Sequence, residues 1–261
     1  MANEYNNTLK GKTAVITGSS TGIGAAIAYE LAGRGANIVI NYPYPSVKDE
    51  AENALQLILE DCDNIRGIIV EANLCSIEGP KELIKKAVEN FGEIHILVNN
   101  AALAINKSLE EHTLDDWDLI VNLNGRGTFL STQAVLPHLA KQSRIINICS
   151  ASSRGPPPFQ TIYAGTKGMV DSFTKVWAKE LPKKYSCTVN AVSPGPTKTK
   201  GFMEAGEEAM KILQPTIELI PVAARMGEPE EIAYAVACLA EDRASWINGV
   251  HLHVNGGLYI D

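Results

Sequence analysis

Tyr163 and Lys167 stand four residues apart in the segment YAGTK, and Ser150 lies thirteen positions before the tyrosine, at the end of the apolar run 145–149. On a helix, residues i and i+4 share one face. A phenol and an ammonium therefore point at one spot, with a hydroxyl delivered beside them from a strand end. A phenol alone is a poor acid or base at neutral pH, because its pKa is about 10. A neighbouring cation favours the phenolate and moves that value toward the working range. Singly, Tyr163 would suit a packed core and Lys167 a solvated helix face. Together with Ser150 they read as a proton-transfer set.

Such a set needs a scaffold. Short apolar runs alternate with longer helical patterns along the chain. Strands are expected at 13–17, 38–41, 67–70, 94–99, 145–149, 188–192 and 250–254. Helices are expected at 22–34, 46–60, 76–90, 114–141, 162–181 and 229–239. Gly35 closes the first helix, and Gly125 and Gly127 adjust the fourth. Continuous apolar strands between helices imply a parallel sheet covered on both faces. Right-handed crossovers make it a doubly wound, Rossmann-like α/β sheet. Ligands bind outside the carboxyl ends of such strands. No linker, repeat or low-complexity segment interrupts residues 1–261, so a single domain is expected, with a substrate lid at about 196–226.

The turn after the first strand reads Thr17-Gly18-Ser19-Ser20-Thr21-Gly22-Ile23-Gly24. Glycines permit a tight turn and let a pyrophosphate approach the backbone, and the following helix supplies amide donors and the positive end of its dipole. The spacing is G-x-x-x-G-x-G rather than the commoner G-x-G-x-x-G. Ordinary strand–helix turns also use glycine, so placement after the first strand is what points to a nucleotide. Beside it, the phenol–ammonium pair reads as proton transfer coupled to hydride transfer.

The bulk numbers exclude other classes. Hydrophobic residues make up 45% of 261, enough for a sizeable core, and a formal net charge of -7 argues against a phosphate-backbone partner. Five cysteines, none in a C-x-x-C pair, suit reduced thiols in a cytoplasmic protein. The polar first residues lack a secretory apolar core, and no run reaches membrane-span length. His95, His112, His138, His251 and His253 are scattered without ligand spacing, so no metal is expected.

The motifs jointly resemble the short-chain dehydrogenase/reductase family over nearly the whole chain. The matching pieces are TGSSTGIG at 17–24, NNAA at 99–102, Asn124 in NLNGRGTF, Ser150, YAGTK at 163–167, SPGPTKT at 193–199 and the closing LHVNGG. The resemblance implies a catalytic tetrad of Asn124, Ser150, Tyr163 and Lys167. Asn124 is preferred to Asn122 on its distance from Trp117 and Phe129. By the same resemblance, an Asn124 carbonyl holds a water that links Lys167 to solvent. Ser150 bonds the substrate oxygen, Tyr163 exchanges a proton with it, and Lys167 lowers the Tyr163 pKa and grips the nicotinamide ribose. Asn73 and Leu74 meet the adenine, and the backbone of Asn100, Ala101 and Ala102 lies against its ribose. Asn99 braces the sheet. Pro194, Gly195, Thr197 and Thr199 hold the carboxamide. Family members usually have Gly at position 102, so Ala102 requires a negative φ there.

NAD enzymes carry Asp or Glu at the end of the second strand. Here Tyr42 stands there, with Ser46 after it. Both can donate to a 2′-phosphate, as can Ser20 and Thr21, so NADP(H) is favoured over NAD(H). The resemblance is nearest to fungal reductases of polyhydroxynaphthalenes and versicolorin, which implies a polyketide-type or aromatic ketone. Reductases of 3-oxoacyl-carrier-protein and sugar or steroid dehydrogenases are alternatives, as is a catalytically silent NADP-binding sensor or scaffold. The family implies a homotetramer or homodimer.

Overall fold

The computed structural model describes residues 7–203 and 213–260. Seven parallel strands form one sheet in the order β3-β2-β1-β4-β5-β6-β7. They are β1 (Thr13–Ile16), β2 (Asn37–Tyr42), β3 (Gly67–Glu71), β4 (Ile94–Asn99), β5 (Leu139–Ile148), β6 (Cys187–Pro194) and β7 (His251–Val254). The strand order reverses between β1 and β4, so their carboxyl ends open a crevice.

Successive strand side chains face opposite ways, and each face buries its own helices. Ile16, Ile38, Ile40, Val98 and Ile146 pack on α1 (Gly22–Gly33), α2 (Lys48–Asp61) and α7 (Pro229–Ala240). Val15, Val39, Leu97 and Val70 pack on α3 (Gly79–Phe91), and Ile145 and Val189 pack on α6 (Thr161–Glu180). Each fully buried Ile or Leu in these layers contributes about 1.5–3 kcal/mol relative to exposure. Gly35 ends α1 at φ +94°. Its N–H donates to Ala32 and that of Ala36 to Leu31, satisfying carbonyls at the helix end.

The expected helix 114–141 divides. α4 (Leu114–Ile120) runs into a π turn, Val121–Gly127, and then α5 (Thr128–Val135). Pro137 sits in a short 3-10 turn that ends the helical stretch, and β5 begins at Leu139, six residues before the expected strand start. A proline cannot continue a helix, and the pairing of Leu139 with Ile94 across a bulge draws the next residues into the sheet. The part of the expected lid containing Glu204, Glu207 and Glu208 lies outside the described residues.

Candidate active site

Residues around the crevice enclose a cavity of about 680 Å³, within the range of small-molecule and cofactor sites. Its floor is the glycine turn. Gly18 has φ +58°, and a Cβ there would fall 2.9 Å from Ala101 Cα. A Cβ on Gly24 would fall 2.6 Å from Asn100 Nδ2 and 2.8 Å from Ser19 Cα. The turn is pinned from three sides. Asn41 Oδ1 accepts from Gly18 N–H at 3.0 Å. Asn100 Nδ2 donates to the carbonyls of Thr17 and Gly18, each at 2.9 Å. Thr17 Oγ1 accepts from the amides of Asn100 and Ala101, also at 2.9 Å. Helix α1 then starts without a side-chain cap from Thr21 and without an acidic residue in its first turn. Its amide end is thus left to an external anion.

Helix α6 presents Tyr163 and Lys167 to the cavity, and the residues just after β5 present Ser150. The Ser150 backbone is extended, and its side-chain oxygen accepts from Ser152 N–H at 3.1 Å. Ser153 turns inward and donates to the Ser150 carbonyl at 2.7 Å. Tyr163 and Ser150 both line the cavity, and the Ser150 hydroxyl bears on the titration of the phenol. Lys167 is buried, donates to the Ile148 carbonyl at 2.7 Å, and lies 5.8 Å from the Tyr163 ring centre.

Burial governs both titrations. It raises Tyr163 above the usual phenol range, against the opposing pull of the Ser150 bond. It lowers Lys167 to about 8. The expected depression of the Tyr163 pKa by Lys167 is therefore not what this arrangement gives. The Lys167 amine donates to the Ile148 carbonyl, and burial is the largest influence on the phenol. A raised pKa keeps the phenol protonated at neutral pH, which is the state a proton donor needs.

Asn124 sits in the π turn, buried just behind the cavity wall. Its Oδ1 accepts from Leu103 N–H at 2.9 Å. Its Nδ2 donates to Leu103 O at 2.9 Å and Thr166 Oγ1 at 3.1 Å. π turns of this kind recur at functional sites because they break the regular helical ladder.

The cavity is also lined by the expected Thr21, Gly22, Ile23, Asn73, Leu74, Ala102, Pro194, Gly195 and Thr199. Asn73 Oδ1 accepts from Cys75 N–H at 2.9 Å, which leaves one lone pair for an adenine amino group. Ala102 is not among the residues with positive φ. Besides Asn124, four expected cofactor contacts lie off the cavity. Tyr42 is buried, with Glu71 opposite it in β3, and Ser46 is exposed beyond the wall. Pro43 and Tyr44 line the cavity in their place. Ser20 faces a neighbouring groove between α1 and α2. Thr197 is buried and donates back to Gly195 O at 3.0 Å.

Sequence reasoning missed several supports. Asn41 is the chief one, and its signal was an amide at the end of the strand beside the glycine turn. Asn99, the expected brace of the sheet, gains unforeseen partners: its Nδ2 donates to Asn147 Oδ1 at 2.8 Å and Thr132 Oγ1 at 2.9 Å, and Asn147 Nδ2 donates to Thr174 Oγ1 at 2.9 Å. This bridge ties β4 and β5 to α5 and α6. It also missed Arg154, Asp171, Ser193 and His251, which meet behind the Ser150 turn.

Residues 18–259 match the family model described as Enoyl-(Acyl carrier protein) reductase. The chain is 37% identical over 253 residues to the short-chain dehydrogenase/reductase FrzI of Cladobotryum sp., covering 95% of each sequence. It is 35% identical over 262 residues to versicolorin reductase 1 of Dothistroma septosporum, covering 96% of this chain and 97% of that one. A solved short chain dehydrogenase from Burkholderia cenocepacia, in complex with NADP, aligns with a TM-score of 0.88 at 31% identity, covering 96% of this chain and 99% of that one. The chain belongs to the short-chain dehydrogenase/reductase family. It is an oxidoreductase that acts on CH–OH and C=O groups. No helix among the described residues is long and apolar enough to cross a membrane.

Proposed function

We propose that this protein is an NADPH-dependent ketone reductase, reversible as an alcohol dehydrogenase, with Tyr163 as general acid and base. One observation carries the reading: Ser150, Tyr163 and Lys167 line the same cavity whose floor is the glycine turn. The cofactor suits the site, because the α1 amide end is uncapped and no Asp or Glu lines the cavity among the described residues. A dinucleotide carrying an extra phosphate meets no like charge there, which favours NADP(H) over NAD(H). Gly18, Gly22 and Gly24 bring backbone to the pyrophosphate. Asn73 and Leu74 hold the adenine, Asn100–Ala102 its ribose, and Pro194, Gly195 and Thr199 the carboxamide. Tyr44 lines the cavity after β2 and offers a hydroxyl to the 2′-phosphate.

When bound, the reduced nicotinamide supplies the hydride that reaches the carbonyl carbon. Tyr163 gives its proton to the carbonyl oxygen, and Ser150 donates a hydrogen bond to that oxygen. Lys167 holds the nicotinamide ribose and puts positive charge beside the phenolate left behind. Asn124 fixes Leu103 in the wall and offers its main-chain carbonyl to a water on the way to Lys167. Holding both reactants in one cleft supplies much of the rate.

The apolar wall of Ala102, Leu103, Ala104, Leu119 and Leu123, with the likeness to versicolorin reductase, favours a polyketide-type or aromatic ketone. A 3-oxoacyl-carrier-protein reductase is the second reading, favoured by the description of the family model. The chain works as one catalytic domain, with 196–226 as its substrate lid. Exposed Trp117, Phe129 and Val176 on α4–α6 support a homotetramer or homodimer. Reduced, mostly buried thiols support a cytoplasmic protein.

The test is NADPH oxidation, followed at the nicotinamide absorbance band, against aromatic ketones, quinones and 3-oxoacyl thioesters. Turnover of the aromatic ketones is expected. NADPH binding without turnover of any compound would instead make the protein a silent binder.

A further inference from the structure

Behind the Ser150 turn, a buried polar cluster joins the segments that carry the reacting groups. Asp171 lies one turn beyond Lys167 on α6. Its carboxylate accepts from Arg154 Nη2 at 3.1 and 3.4 Å and from Lys175 Nζ at 2.7 Å, and it pairs with His251 Nδ1 at 2.7 Å. The other ring nitrogen, His251 Nε2, is hydrogen-bonded to Ser193 Oγ. Arg154 follows Ser150 by four residues. Ser193 immediately precedes Pro194 and Gly195 of the cavity wall. His253 packs on His251 with ring centres 4.8 Å apart, and Tyr259 packs on His253 at 5.3 Å. A Cβ on Gly155 would fall 2.7 Å from the Tyr259 ring, so the tail closes over the Arg154 turn.

Charge states follow from the surroundings. Burial pushes Asp171 up, but hydrogen bonds from Lys175, His251 and Arg154 overcome it and leave the carboxyl at about 2. Burial holds His251 below its ordinary value, against the pull of Asp171. At neutral pH the pair is a carboxylate and a neutral imidazole. Nδ1–H then donates to Asp171, and Nε2 accepts from the Ser193 hydroxyl. Asp, His and Ser in this order also make a hydrolase triad. That role fails here, because Ser193 is fully buried and does not line the cavity.

We infer that Asp171 is a positioning residue for the reduction, clamping the Ser150 turn to α6 through Arg154 and tying both to the end of β6 through His251 and Ser193. The clamp sets the spacing between Ser150, Tyr163 and the wall at Pro194. It rests on the oxidoreductase reading above. A displacement of about 1 Å among reacting groups costs up to about a hundredfold in rate.

The test uses the full chain with Asp171→Asn, Asp171→Glu and Arg154→Gln. Turnover of the best ketone, NADPH binding by fluorescence, and amide hydrogen exchange across 150–160 are measured. We expect kcat to fall about ten- to a hundredfold in Asp171→Asn and Arg154→Gln. NADPH affinity should fall far less than kcat, because the glycine turn and the adenine contacts of the proposed site are remote from the cluster. Exchange across 150–160 should speed up, and Asp171→Glu should recover part of the rate. Arg154 is the outermost member of the cluster, with its side chain 21% exposed, so Arg154→Gln carries the test if Asp171→Asn does not fold. Unchanged exchange, or a kcat within about twofold of the parent in Arg154→Gln, overturns the clamp. If the parent binds NADPH but turns over no ketone, the ketone-reductase reading fails, and the exchange data alone then decide the clamp.

Discussion

The two halves of the sheet treat polar groups in opposite ways. At the ends of β1 and β2 the chain offers mainly backbone: the turn 17–24, the bare start of α1, and uncharged Asn41 and Asn100 as pins. At the ends of β5, β6 and β7 it offers side chains, several of them ionised: buried Lys167 and Asp171 and half-buried Arg154, with His251 between strands. A backbone cradle needs only a local turn geometry. Reacting groups need fixed distances between segments far apart in sequence, and buried charges with full sets of partners hold such distances at a desolvation cost. One half is suited to binding and the other to alignment.

That contrast can be broken at several points. Tyr163→Phe should have the largest effect, removing turnover by about 10²–10⁴-fold while NADPH binding, read by fluorescence titration, persists. Substantial remaining activity would move the acid elsewhere. Gly24→Ala should do the reverse and abolish NADPH binding, because the new methyl collides with Asn100 and the turn. Overpacking of this kind costs about 1–3 kcal/mol in stability, measurable by thermal melting. The rate of ketone reduction should fall as pH rises above 8, where Lys167 loses its charge. A profile flat to pH 10 would separate Lys167 from the chemistry.

Smaller effects sharpen the comparison. The folded value of Asp171, about 2, lies below the ordinary carboxylate value of about 3.9. Its contribution to stability is therefore complete above that ordinary value and is lost as pH falls toward 2. Acid unfolding followed by circular dichroism should be steeper in this window for the parent than for Asp171→Asn. Ala102→Gly should be the mildest change, costing about 0.4–1 kcal/mol through unfolded-state entropy and leaving NADPH affinity unaltered.

Much of the fold could be read in advance where the signal was local. Each expected strand overlaps an observed one, and the glycine turn lies where its spacing placed it, since both depend on side-chain alternation and backbone sterics over a few residues. Two differences arose where a distant partner decided, and a third where a local bond did. Leu139 joins a strand because Ile94 is there to pair with it. Tyr42 turns from the cavity because the β2–β3 register sets it opposite Glu71. Thr197 bends back to the Gly195 carbonyl, a local bond that favours a turn over a ligand contact.

From its residues alone, this protein had a phenol and an ammonium on one helical face, and a glycine turn opening a helix. A period of 3.6 residues and the steric freedom of glycine are properties of the chain itself. Only the assembled sheet decided that Ser150 would meet Tyr163, that burial rather than Lys167 would govern the phenol, and that Asp171, His251 and Ser193 would join. Asp171 and His251 are 80 positions apart. Their contact follows from strand order and from exclusion of water, and no short stretch of sequence encodes either.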